Sequence, residues 1–288
     1  MIYDVHQTTT YHYAAPVAHA LHVLRLTPIG RDGQRVHASA LDIDPAPVER
    51  REGFDFFGNR VSWVSLETAH DTLTVHVNAR IAVERRATPA VTPSWEDVRR
   101  AAFLSIDLSG LGPAHFLFPS RQVSLDPEIR DYACNSFPAG RQILDGTLDL
   151  MHRIKREFVY EIGATTASTT PPMSFALRRG VCQDFSHIMI SGMRGLGLPV
   201  AYVSGYLRTT RIGAIRLEGV DAMHAWVMVW CGDEAGWIGL DPTNDMLAGD
   251  DHVVLAIGRD YADVAPIDGV IFGAGRQRLE VSVRVTPL

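Results

Sequence analysis

Three of the 288 residues are cysteines, Cys134, Cys182 and Cys231, and their surroundings would treat a thiol differently. Cys182 follows Arg178-Arg179-Gly180-Val181 and opens a stretch in which Phe185, Ile188, Met189 and Met193 recur at helical spacing, ended after Leu196 by Gly197-Leu198-Pro199. A thiol at a helix start meets free backbone N–H groups and the positive end of the helix dipole, both of which favour the thiolate. Cys134 falls mid-helix in Asp131-Tyr132-Ala133-Cys134-Asn135 and Cys231 in a hairpin turn, so both are expected to be small buried hydrophobes. Taken alone, Cys182 fits that description equally well.

Its partners decide the matter. The segment Ala222 to Trp230 reads as a strand with His224, Trp226, Met228 and Trp230 on one face, and Gly236 to Asp241 as a second with Trp237, Gly239 and Asp241 on one face. If Cys231-Gly232-Asp233-Glu234 is a four-residue hairpin loop, Trp230 pairs with Ala235, Met228 with Trp237, Trp226 with Gly239 and His224 with Asp241. A carboxylate bonded to one imidazole nitrogen fixes the tautomer and leaves the other nitrogen to take a thiol proton. Cys182, His224 and Asp241 thus have the types and placement of a Cys-His-Asp triad.

The elements that must position these residues fall into two regions. Residues 1–86 read as strand after strand, most clearly where Leu73, Val75, Val77, Ala79, Ile81 and Val83 alternate with polar neighbours. Short antiparallel strands of this kind imply a sandwich-like β domain. Residues 87–93 carry two prolines and no charge, which suits an extended linker. From 94 to 288 the period changes: Ser94 caps one helix, Asp126-Pro127-Glu128 starts another, and Ile143, Leu144, Leu148, Met151, Ile154 and Phe158 recur at helical spacing. Strands follow at 200–207, 222–230, 236–240, 253–257 and 278–285. The expected fold is α+β, an N-terminal antiparallel sandwich-like domain followed by a catalytic part with its nucleophile helix on an antiparallel sheet.

Four motifs, Gly180-Val181-Cys182-Gln183-Asp184-Phe185-Ser186-His187, Val203-Ser204-Gly205-Tyr206, Met223-His224-Ala225-Trp226-Val227 and Gly236-Trp237-Ile238-Gly239-Leu240-Asp241-Pro242-Thr243-Asn244, resemble the bacterial transglutaminase-like family and occur in its order. The resemblance spans residues 180–244, and the N-terminal strands are similar to the β-rich region preceding this core in bacterial members. It implies a papain/transglutaminase-like core with Cys182 as nucleophile, His224 as general base and then acid, and Asp241 as the orienting carboxylate. Met223 departs from the family, which usually has a small residue before its His; the departure bears on pocket shape. The Cys182 N–H is one donor to a developing oxyanion. By resemblance Tyr160 is a second candidate, although an aromatic filling the core fits it as well. Gln183 follows by looser analogy with the papain group, and Trp226 is a candidate for the substrate pocket.

A triad of this kind attacks an amide carbonyl to give a thioester acyl-enzyme, resolved by water in a hydrolase and by an amine in a cross-linking enzyme. Animal cross-linkers of the family are longer and depend on calcium, and no Asp-rich loop of EF-hand type appears here. A cysteine peptidase or amidohydrolase is therefore expected ahead of a protein-glutamine transglutaminase. Arylamine N-acetyltransferases share the triad on a related fold, but their Cys lies much nearer the N-terminus and Asp241-Pro242-Thr243-Asn244 does not resemble their tract. An inert binding module that recognises its partner through the N-terminal sandwich is the alternative from another class, against which the intact Cys182, His224 and Asp241 argue.

Other signals exclude function classes. Twenty-seven basic against 33 acidic residues give a net charge of −6, with no basic run to track a phosphate backbone, so nucleic acid is not an expected partner. His6, His12, His19, His22 and His37 crowd the first forty residues, but strand positions alternate faces and no H-E-x-x-H occurs; no metal or cofactor is expected. Gly195-Leu196-Gly197 closes a helix where a dinucleotide loop would open one. Arg178-Arg179 reads as a solvated end near enough to Cys182 to help a thiolate. Few, scattered cysteines and no apolar run near the ~20 residues of a membrane span point to a soluble cytoplasmic protein, and the family resemblance implies a peptide or protein as its substrate. Specificity is expected in loops such as 208–220.

Overall fold

Alternation of buried and exposed residues builds the first layer of the computed structural model, which describes residues 1–208, 223–273 and 275–288. Strands β1 (Ile2–Val17), β2 (His19–Leu24), β3 (Gln34–Asp44), β4 (Glu49–Phe54), β5 (Arg60–Leu66) and β6 (His70–Val83) follow one another. On β6 the predicted stripe Leu73, Val75, Val77, Ala79, Ile81 and Val83 is buried throughout, each large side chain contributing about 1.5–3 kcal/mol by leaving water. Tyr3 and Val5 of β1 and Leu24, Val64 and Leu66 of β2 and β5 meet it in one core, the arrangement of a β-sandwich.

Helices and a second set of strands follow: α1 (Trp95–Leu104), α2 (Pro127–Cys134), α3 (Ile143–Glu157), β7 (Val159–Tyr160), α4 (Pro171–Leu177), β8 (Arg179–Gly180), α5 (Cys182–Gly195), β9 (Val200–Leu207), β10 (His224–Trp230), β11 (Trp237–Asp241), β12 (Met246–Leu247), β13 (His252–Gly258), α6 (Tyr261–Val264), β14 (Ile267–Phe272) and β15 (Gln277–Pro287). The expected caps form: Ser94 Oγ accepts from the Asp97 N–H and Asp126 Oδ1 from the Ile129 N–H. Gly197, at φ +79°, closes α5, its N–H donating to Arg194 O and that of Leu198 to Met193 O. Among the described residues no helix is long and apolar enough to cross a membrane.

Three larger sheets result, with strand orders β15-β1-β6-β3, β14-β2-β5-β4 and β12-β11-β10-β9-β13. The last is the central sheet. One face lies against the helices through Val200, Tyr202, Ala225, Val227 and Val229. The other face packs on Phe57 and Phe116 through Val203, Trp226, Val254 and Ile257, while Tyr206, Val253 and Leu255 join the core of the N-terminal strands. Sequence reading placed the C-terminal strands with the catalytic part. Instead β15 pairs with β1 and β14 with β2, because Val283 and Val285 bury into the sandwich core. The end of 87–93 is also tied down: Thr92 is buried, its N–H donates to Gln142 Oε1, and the Ile143 N–H donates to Pro93 O.

Candidate active site

Asp184 shapes the start of α5. Its Oδ2 turns back to accept from the Val181 N–H at 2.8 Å and from Thr165 Oγ1 at 2.6 Å, closing the helix start in the manner of a capping box. Burial pushes this carboxyl up, against those bonds. Residue 180 must be glycine, since a Cβ there would stand 2.6 Å from Asp184 Oδ2. Cys182 follows as the first helical residue, half-buried and in no disulfide.

His224 and Asp241 meet, but by a different register from the one expected. Trp230 pairs with Trp237, Val229 with Ile238, Met228 with Gly239 and Val227 with Leu240, a shift of two residues. The connection is longer because the Cys231 N–H donates to Gly236 O and the Gly236 N–H to Gly232 O, with both glycines at positive φ. A slip of two leaves every side chain on its predicted face, so His224 Nε2 still reaches Asp241 Oδ2, at 2.8 Å.

The pair is wholly buried. Asp241 Oδ1 accepts from the N–H groups of Thr243 at 2.9 Å and Asn244 at 3.2 Å, and Oδ2 also takes the Asn244 amide at 2.8 Å. Burial by itself would raise this carboxyl; the charge and hydrogen bond of His224, with His252, hold it well below the usual range. Burial would likewise lower His224, but Asp241 overcomes it and Cys182 adds to the effect, so the imidazole is pushed up. Its second nitrogen, Nδ1, is buried without a hydrogen-bond partner. The site therefore offers an imidazole fixed on one side by a carboxylate and open on the other beside a helix-start thiol.

The remaining candidates fall in different places. β7 runs parallel to β8 and sets Tyr160 opposite Gly180, beside the helix start, with its ring 6.4 Å from that of Phe185. Gln183 donates its amide to Ala167 O, so it holds the preceding loop. Trp226 is enclosed among the described residues: it is 1 % exposed and stacks on His224 at 6.1 Å, wedged where a Cβ on Gly205 would come within 2.5 Å of its ring. Arg178 lies over Phe175 and Phe158 and Arg179 pairs with Glu161, so the bonds seen are not to the thiol. Cys231 is buried as expected, which pushes its thiol up to about 12. Cys134 is exposed, contrary to expectation, because α2 ends at that residue. Most of the loop 208–220 lies outside the described residues.

Sequence reading missed His252. It opens β13, is fully buried, and brings Nε2 to 3.3 Å from Asp241 Oδ2. Nothing in the local pattern marks it, since its partner is fixed only when β13 joins the sheet.

Comparison with known proteins agrees with this architecture. Residues 3–82 match the bacterial transglutaminase-like N-terminal region and residues 139–242 the transglutaminase-like superfamily. A Mycobacterium tuberculosis protein is 37 % identical over 99 % of this chain and 92 % of its own length. A Mycobacterium leprae protein is 28 % identical over 98 % and 97 %. A crystal structure of a candidate cysteine protease from Cytophaga hutchinsonii superposes with a TM-score of 0.75 at 23 % identity, covering 100 % of this chain and 91 % of that one, which shows the fold. The chain belongs to the transglutaminase-like superfamily, in the form that carries the bacterial N-terminal region before the core.

Proposed function

We propose that the chain is a cysteine peptidase or amidohydrolase acting on a peptide or protein, with Cys182 as nucleophile, His224 as base and acid, and Asp241 as its anchor. The observation that carries this reading is the buried 2.8 Å contact of His224 Nε2 with Asp241, which leaves Nδ1 open. Nδ1 takes the Cys182 proton, and the thiolate sulfur attacks the carbonyl carbon to form a tetrahedral oxyanion facing the Cys182 N–H. Collapse breaks the C–N bond as the imidazolium returns its proton to the departing amine. Water then gives a proton to Nδ1 and its oxygen to the thioester carbon; the C–S bond breaks, and the acid leaves with the thiol restored. Residues 1–86 do no chemistry in this scheme, and the three free thiols support a reducing, cytoplasmic setting.

Incubation with a peptide mixture and a labelled amine, read by mass, tests the proposal. Cleavage or deamidation by the wild type and neither by Cys182→Ala is expected. Amine incorporation in place of hydrolysis would move the assignment to a transglutaminase, and identical products from both proteins would overturn the thiol mechanism.

A further inference from the structure

We infer that His252 is a positioning residue of this site, a second imidazole that orients the Asp241 carboxylate for His224; the inference rests on the triad proposed above. Asp241 Oδ2 receives three side-chain contacts, from His224 Nε2 at 2.8 Å, Asn244 Nδ2 at 2.8 Å and His252 Nε2 at 3.3 Å. With two backbone N–H groups on Oδ1, the carboxylate has no freedom to turn. Removing His252 leaves the oxygen that anchors His224 one donor short.

The tautomer follows from burial. Nδ1 of His252 is enclosed without a partner, and an unpaired N–H there would cost more than an unpaired lone pair, so the proton belongs on Nε2, facing Asp241. Burial also pushes the ring down and so favours its neutral form, against the pull of Asp241 and of the adjacent Asp251, with His224 acting in the same sense as burial. The neutral form suits the role. A cation at this position would share the Asp241 charge and lower His224, whereas a neutral donor fixes the carboxylate and leaves its full charge to the His224 imidazolium.

Both the ring and the strand that carries it are held in place. Trp226 meets it edge-on at 5.1 Å while stacking on His224 at 6.1 Å, so one indole sets both imidazoles. From the N-terminal region, Arg85 Nη2 donates to His252 O at 3.1 Å, and Gln34 bonds both the N–H and the C=O of Val254 at 2.8 Å. The strand that delivers His252 is thus gripped by residues outside the catalytic part.

The test is the rate of Cys182 alkylation by iodoacetamide from pH 5 to 8, followed by mass in the full-length protein, with folding checked by circular dichroism. His252→Phe keeps a ring against Trp226 but has no donor; it should slow alkylation at pH 6 by about tenfold, the equivalent of one hydrogen bond to a charged group. His252→Gln places an amide N–H near the former Nε2 and should stay within about threefold, with the wild-type pH profile. A folded His252→Phe as fast as wild type, or a His252→Gln more than about tenfold slower, would overturn the inference. Asp241→Asn separates the two claims. If it slows alkylation while His252→Phe does not, the positioning role fails alone; if wild-type Cys182 is no faster than Cys134 at pH 6, the triad and this role fail together.

Discussion

The sandwich and the central sheet bury their strands in opposite ways. On β1 and β6 buried and exposed residues alternate, since one face of that sheet meets the core and the other meets solvent. On β9 and β13 every residue is buried, since the helices and the N-terminal region between them cover both faces. A sheet covered on both sides must satisfy its edge as well as its faces, and β13 is an edge strand. Two side-chain amides do this work. Gln34 bonds the N–H and C=O of Val254, and Asn59 donates to Ile257 O at 2.7 Å and accepts from its N–H at 2.8 Å. Each acts as a one-residue strand, so the N-terminal region completes the sheet that carries His224 and Asp241.

The largest effect that separates the two regions is chemical. Asp241→Asn should leave the fold intact and remove most activity, because the amide still bonds the ring but no longer stabilises the imidazolium. The same change in a serine-protease triad costs about 10⁴ in kcat. A variant with more than half the wild-type rate, or equal alkylation of Cys182, Cys134 and Cys231 at pH 6 in the wild type, would remove Asp241 or Cys182 from the chemistry.

Next in size is the grip on the edge strand. Gln34→Leu leaves the N–H and C=O of Val254 buried and unpaired, and two such groups cost about 4 kcal/mol. Urea unfolding should show that loss. A change below about 1 kcal/mol would mean that water replaces the amide and that the sandwich covers β13 without holding it.

Sequence legibility follows the same division. The β6 stripe, the Ser94 and Asp126 caps and the Cys182 helix start are written in neighbouring residues, and each forms as expected. The central strands, buried on both faces, have no alternation from which to fix a register, so the hairpin expectation slipped by two. Gln34 and Asn59 are out of reach for another reason: their partners are 220 and 198 residues away, and an amide in a strand-rich segment gives no local sign of capping a distant one. His252 is hidden likewise. Its bond to Asp241 spans only 11 residues, but it depends on the paths of β11 and β13 through the sheet.

A smaller effect belongs to the helical side of the sheet. His187 on α5 is fully enclosed, its Nε2 accepts from the Tyr261 N–H at 3.2 Å, and burial pushes the ring down to about 4, against Asp260. Its ordinary value is about 6.5. Above that pH neither folded nor unfolded chain is charged here; as the pH falls below it, the unfolded chain binds a proton that the folded one refuses. Stability should drop progressively between pH 6.5 and about 4, by about 3 kcal/mol at most from this residue. His187→Gln, which can still accept from Tyr261, should remove that part of the drop. An unchanged pH dependence would place the acid sensitivity of the molecule elsewhere.

The smallest expected effect comes from cutting the chain within 87–93. A division into two independent pieces would release residues 1–86 from the rest. Here β15 pairs with β1 from Tyr3 to Tyr13 and β14 with β2 from His19 to Leu24, so the larger fragment contributes two strands to the sheets of the smaller one. Further links cross the cut: Tyr206 donates to Gln7 at 2.6 Å, Tyr3 to Asp251 at 2.9 Å, and Gln34 and Asn59 hold β13. The nicked protein should migrate on size exclusion as one particle of the intact size and keep a Cys182 alkylation rate within about twofold. Separation of the fragments in native buffer would show that the shared strands do not hold the regions together. A nicked protein that stays associated but loses Cys182 reactivity would place the sensitivity in residues 87–93 themselves, where Thr92 and Pro93 bond to Gln142 and Ile143 at the start of α3.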